Sequence, residues 1–128
     1  MTNFIKITDK NLEFYLKKKE VAVIVLEADK KEVTILSTAN GKFTAAISLD
    51  PRELKAKYDE YINQLDSNEF FKFGKNGEFF LRKSSIVAVV KQTLQGEDIY
   101  HLTDTHNNRY TIGKLTVEQV DNLFNQVI

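Results

Sequence analysis

The sequence predicts an α+β protein, a tandem ββββα repeat with pseudo-twofold symmetry whose antiparallel sheet or sheets are each packed by one helix. Three observations carry this. Glu13-Phe14-Tyr15-Leu16-Lys17-Lys18 returns as Glu78-Phe79-Phe80-Leu81-Arg82-Lys83, and at the same offset Val21-Ala22-Val23-Ile24-Val25 returns as Ile86-Val87-Ala88-Val89-Val90. Each copy closes on a capped amphipathic helix. Between these segments lie β-branched runs and Asn-containing turns that suit antiparallel hairpins.

The first copy reads in order. Phe4–Ile7 is a short strand, and Thr8-Asp9-Lys10-Asn11 turns the chain into Glu13–Leu16. The polar step Lys17-Lys18-Lys19-Glu20 bends it before Val21–Glu27, a continuous apolar run that suits a strand covered on both faces. After the charged turn Ala28–Glu32, Val33–Ser37 and Lys42–Ile47 form a hairpin around Asn40-Gly41. A helix follows from Pro51 to Leu65. Asp50 is its N-cap, Pro51 takes the first helical position, and Glu53 stands at the capping-box spacing. Leu54, Tyr58, Tyr61, Ile62 and Leu65 make one apolar stripe.

Asp66-Ser67-Asn68 links this unit (1–66) to a second (67–128), the two forming one compact domain. Lys10-Asn11 aligns with Lys75-Asn76, and Phe4-Ile5-Lys6-Ile7 with Phe70-Phe71-Lys72-Phe73, one residue out of phase. Val33-Thr34-Ile35-Leu36 aligns with Ile99-Tyr100-His101-Leu102, and Asn40-Gly41 with Asn107-Asn108. Leu49–Leu54 aligns with Leu115–Val120, so Thr116 and Gln119 repeat the cap. Val120, Leu123, Phe124 and Val127 form the second helix's apolar face.

Composition narrows the function. The 128 residues contain no Cys, which removes disulfides, thiol nucleophiles and cysteine metal sites. Formal net charge is zero, so any attraction for polyanions has to be local. No apolar run reaches membrane-spanning length, and Met1-Thr2-Asn3-Phe4 lacks signal-peptide grammar; a soluble cytoplasmic protein is expected.

The candidate site is the strand shared by both copies. Side chains alternate along a strand, so Phe14 and Leu16 pointing inward put Tyr15 and Lys17 outward. By the same rule Phe80 and Arg82 point outward in the second copy. With Lys18, Lys19 and Lys83 nearby, the result is two aromatic–basic spots. Single-stranded DNA or RNA is held by such surfaces, bases stacking on rings and cations meeting phosphates. The structural reading of the same residues is a sheet covered on both sides, with the lysines as a solvated turn or edge protection.

Other constellations are weaker. His101, Asp104 and His106 have metal-ligand spacing but are absent from the first copy, and His106 sits in an Asn-rich turn; no metal and no cofactor are expected. Phe73-Gly74-Lys75-Asn76-Gly77 reads as a hairpin turn, lacking P-loop length and ending. Ser84-Ser85 has no nearby base and no nucleophile-elbow context, and no acid–base pair stands out, so no catalytic residues are assigned.

The doubled unit resembles in topology the Whirly and PUR-repeat proteins, which bind single-stranded nucleic acid with paired sheets. The Phe-x-Leu segment, polar break, apolar strand, hairpin and capped helix resemble the first half of LytTR-type DNA-binding domains. These resemblances imply a nucleic-acid-binding sheet protein, and no family's binding residues are carried over. The resulting expectation is a non-enzymatic, self-associating binding protein that contacts single-stranded nucleic acid through Tyr15, Lys17, Lys18, Lys19, Phe80, Arg82 and Lys83. The alternative is a protein-interaction or assembly module, possibly phage-encoded, working through unpaired sheet edges.

Overall fold

The computed structural model describes residues 3–74 and 77–127. The expected turn residues Lys75 and Asn76 lie outside them. Five strands precede the first helix: β1 (Phe4–Asp9), β2 (Leu12–Lys17), β3 (Val21–Glu27), β4 (Glu32–Ser37) and β5 (Lys42–Ile47), then α1 (Pro51–Ile62). Five more precede the second: β6 (Phe70–Phe73), β7 (Phe79–Arg82), β8 (Ile86–Leu94), β9 (Glu97–Asp104) and β10 (Arg109–Gly113), then α2 (Val117–Val127). Among the described residues each half thus has five strands where four were expected. The polar step breaks the strand: Lys18–Glu20 and Lys83–Ser85 are single 3-10 turns, and β2 and β3 count separately. No helix among the described residues is long and apolar enough to cross a membrane.

The protein is α+β, with antiparallel sheets and two helices. A five-stranded sheet in the order β5-β4-β3-β7-β6 draws on both halves, flanked by the β1–β2 hairpin and a three-stranded β10-β9-β8 sheet. β3 is central because it can be buried on both faces: Val21, Ala22, Val23, Ile24 and Val25 are all buried. One face (Val21, Ile24) packs with Ile5, Ile7, Val33, Ile35 and the α1 residues Leu54, Tyr58, Tyr61 and Ile62. The opposite face (Ala22, Val23, Val25) packs with Phe71, Leu81, Leu102, Tyr110 and Leu123. Burying side chains of this size contributes about 1.5–3 kcal/mol each, so these two layers dominate the folding energy.

Several backbone hydrogen bonds recur at residues that the sequence alignment of the two halves pairs. Lys18 N–H donates to Asn3 O and Lys83 N–H to Glu69 O; Thr38 N–H donates to Glu20 O and Thr105 N–H to Ser85 O. The β4–β5 and β9–β10 turns each place an Asn in the left-handed region, Asn40 at φ 65° and Asn107 at φ 63°, which Asn tolerates better than most residues. Ser37 Oγ accepts from Gly41 N–H as Asp104 Oδ1 does from Asn108 N–H. A register shift falls after Val21 in β3 and after Ile86 in β8.

If the expected repeat is taken as the frame, this register moves the alignment of one strand. Val23 faces Leu36 and Ala88 faces Thr103, so Ile35 corresponds to Leu102 and Thr34 to His101. Apolar similarity alone sets that strand one residue off.

The caps differ in mechanism. Thr116 and Gln119 form a reciprocal box, Thr116 N–H donating to Gln119 Oε1 and Gln119 N–H to Thr116 Oγ1. At α1, Asp50 Oδ1 accepts from Arg52 N–H, while Asp50 N–H donates to Ser48 Oγ and Ser48 Oγ–H to Glu53. The serine relays the return bond. The apolar stripe of α1 is buried as expected, but on α2 Phe124 stays 45% exposed and only Leu123 is buried.

Candidate nucleic-acid interface

The residues from Lys17 to Lys19 leave β2 and enter the 3-10 turn, with Lys17 and Lys19 exposed and Lys18 half-buried. They line an open cleft of about 550 Å3 with Arg82, Asn3, Phe4, Leu65, Asp66, Glu69 and Phe70. None of the three ammonium groups has an ion-pair partner among the described residues. Tyr15 stands on the outer face of β2, 42% exposed, its hydroxyl donating to Glu13 Oε2 at 3.3 Å. Glu13 also pairs with Lys6 at 3.2 Å, and that bond raises the Lys6 pKa.

Arg82 is a strut, not a free cation. Its side chain is 14% exposed. Nε donates to Val21 O at 2.8 Å, Nη2 to Lys18 O at 2.6 Å, and Nη1 reaches Glu69 Oε2 at 3.2 Å. The guanidinium also lies 4.6 Å from the centre of the Phe70 ring. A planar fork of five donors satisfies two carbonyls and a carboxylate at once, which lysine could not do. The fork fixes the backbone that presents Lys17, Lys18 and Lys19.

The outward placement of Phe80 is corrected. Phe80 is 7% exposed and stacks on Phe70, centroids 4.9 Å apart. The reason is position within the sheet. β7 lies between β3 and β6 with both faces covered, so Phe79 meets one core layer and Phe80 the other. Among the described residues β2 pairs only with β1 and keeps one face free. The expected outward direction of Arg82 is likewise replaced by its inward bonds. Lys83 is half-buried in the second 3-10 turn and is not part of the cleft lining.

His101, Asp104 and His106 do separate structural tasks. His101 is buried, with Nδ1 at 3.0 Å from Thr111 Oγ1 and Nε2 at 3.2 Å from Gln92 Oε1. The Asp104 carboxylate accepts from His106 N–H, Asn108 N–H, Asn108 Nδ2 and Tyr110 Oη. Burial alone would raise its pKa, but the bonds from Asn108, Tyr110 and His106 outweigh that and hold it below the ordinary carboxylate value. The His106 ring reaches back to the carbonyl of Thr38. No group of three or more His, Cys, Asp or Glu able to hold a metal occurs among the described residues.

Sequence reasoning missed Asn3, Phe4, Asp66, Glu69 and Phe70 as cleft residues. A signal was present: the sequence alignment of the two halves sets Phe4 against Phe70, and the cleft gathers both.

No protein-family model matches the sequence. No curated protein matches it. Among solved structures it is similar in fold to a LytTr DNA-binding domain from Bacillus cereus, with a TM-score of 0.58 over 98% of this chain and 95% of that one, at 12% identity.

Proposed function

We propose that the chain is a non-enzymatic nucleic-acid-binding protein made of two copies of one strand–helix unit, residues 1–66 and 67–128, related by a pseudo-twofold axis. Support for the duplication comes from the recurring hydrogen bonds and from the cleft lining. Asn3 and Glu69, Phe4 and Phe70, and Lys17 and Arg82 are corresponding residues, and all six face one cleft. That is the arrangement expected where two related units meet near their axis.

The observation that carries the binding reading is the convergence of Lys17, Lys18 and Lys19 on that cleft, their backbone fixed by Arg82. Phosphates are the ligand class this suits: three lysines line the cleft with one carboxylate outside any ion pair among the described residues, Asp66, whose Oδ1 accepts from Asn68 N–H, since Glu69 is engaged by Arg82. The likeness in fold to a protein named as a DNA-binding domain agrees. Where β2 is paired only with β1, Tyr15 adds one stacking surface, which favours single strands, whereas Phe80 in the core cannot supply the second.

Fluorescence polarisation with single- and double-stranded oligonucleotides of one sequence tests the reading. Binding should weaken steeply with salt, each phosphate that a lysine neutralises adding about 0.7–0.9 to the slope of log affinity against log salt. Replacing Lys17, Lys18 and Lys19 by Gln should remove most of that dependence. Salt-insensitive or absent binding at low ionic strength sinks the reading.

A further inference from the structure

The halves share several backbone hydrogen bonds but not their strand pairing, and the difference leaves two edges open. β3 is paired on both sides, by β4 and by β7. Its counterpart β8 is paired on one side only among the described residues, by β9. The counterpart of β7 is β2, which among the described residues pairs only with β1. The single pairing of the first unit that the second lacks is β2 on β8.

The side chains point the same way. On β3, β7 sets Phe80 opposite Ile24, and Phe80 lies in the core layer that also holds Tyr58 of α1. Phe80 is 7% exposed and Tyr58 is fully buried. Their counterparts are Tyr15 and Phe124, which are 42% and 45% exposed. Both aromatics are bare where the missing pairing would cover them. β8 also carries Val87 at 62% exposure and has no proline or charge in its first five residues, Ile86–Val90. A long apolar edge without such protection is a template for strand addition.

We infer that β2 of one copy adds antiparallel to β8 of a second copy, in the register that β7 takes on β3. Leu16 then faces Ala88, Tyr15 faces Val89 and Phe14 faces Val90. Lys91 N–H donates to the Glu13 carbonyl of the neighbour, as Leu26 N–H donates to Glu78 O at 2.8 Å within the chain. The occupant is a second copy because this chain already holds the matching strand, with its aromatic at the matching place. Each chain offers one β2 and one β8, so the contact runs head to tail and extends or closes into a ring. The inference rests on the repeat reading and not on nucleic-acid binding.

Cysteine cross-linking without oligonucleotide tests it, since the chain has no native thiol. Mixed under oxidising conditions, Y15C and V89C should give the mixed disulfide as the main product, with little linkage from either alone. Wild-type mass by sedimentation should rise with concentration, and Val87→Lys should suppress that rise without changing the circular dichroism. Protection of the Lys91 amide from hydrogen exchange should increase with concentration. V89C or Y15C linking chiefly to itself would overturn the pairing, as would a strict monomer. Preferential linkage of Y15C to V90C would overturn the register instead, and with it the repeat as template.

Discussion

The guanidinium of Arg82 donates to the carbonyl oxygen of Lys18 at 2.6 Å, so a side chain of the second half holds the turn that displays the lysines of the first. Replacing Arg82 with Met keeps much of the stem but leaves the carbonyls of Lys18 and Val21 without this donor. We expect a loss of about 2–4 kcal/mol in urea unfolding, since hydrogen bonds to charged groups contribute roughly 1.5–3 kcal/mol each. Arg82→Lys should recover only part of it.

Phe80→Ala and Tyr15→Ala separate the core aromatic from the surface one. Phe80 fills the space between Phe70 and Ile24, so its truncation should cost about 3–5 kcal/mol by denaturant titration. Tyr15→Ala should stay within about 0.5 kcal/mol in dilute monomer. Equal costs would contradict the placement of β7 inside the sheet.

Asp104 makes stability depend on acid. Its carboxyl is held below its ordinary pKa by four hydrogen bonds made best to the ionised form. Such a group contributes stability above its unfolded pKa and loses it as pH falls through the folded value. The stability gap between wild type and Asp104→Ala should therefore be largest near neutral pH and shrink in acid. A gap that widened in acid would refute the assignment.

Thr116→Ala removes one arm of the reciprocal cap on α2. A loss of about 1 kcal/mol is expected, read as a lower midpoint in thermal melts. Ser48→Ala should weaken α1 by a similar amount, because Ser48 relays the bond between Asp50 and Glu53.

Much of the fold is legible in the sequence, for local reasons. Asn40-Gly41 specifies its hairpin through backbone conformation, Leu54 to Leu65 specify a helix face through periodicity, and Val21–Val25 declare a strand buried on both sides. What is not legible is which edges meet. Phe14-Tyr15-Leu16 and Phe79-Phe80-Leu81 are nearly the same words, yet one strand ends in a two-stranded hairpin and the other sits inside a five-stranded sheet. Alternation separates two faces of a strand but does not say whether the second face is covered. The cleft escapes notice likewise, because Phe4, Asp66 and Glu69 join the lysines only through tertiary packing.

Because β3 is zipped to β7, neither half carries the five-stranded sheet on its own. A polypeptide cut in the Asp66–Asn68 link should yield two fragments that complete that sheet only on being mixed, each serving as the mould for the other.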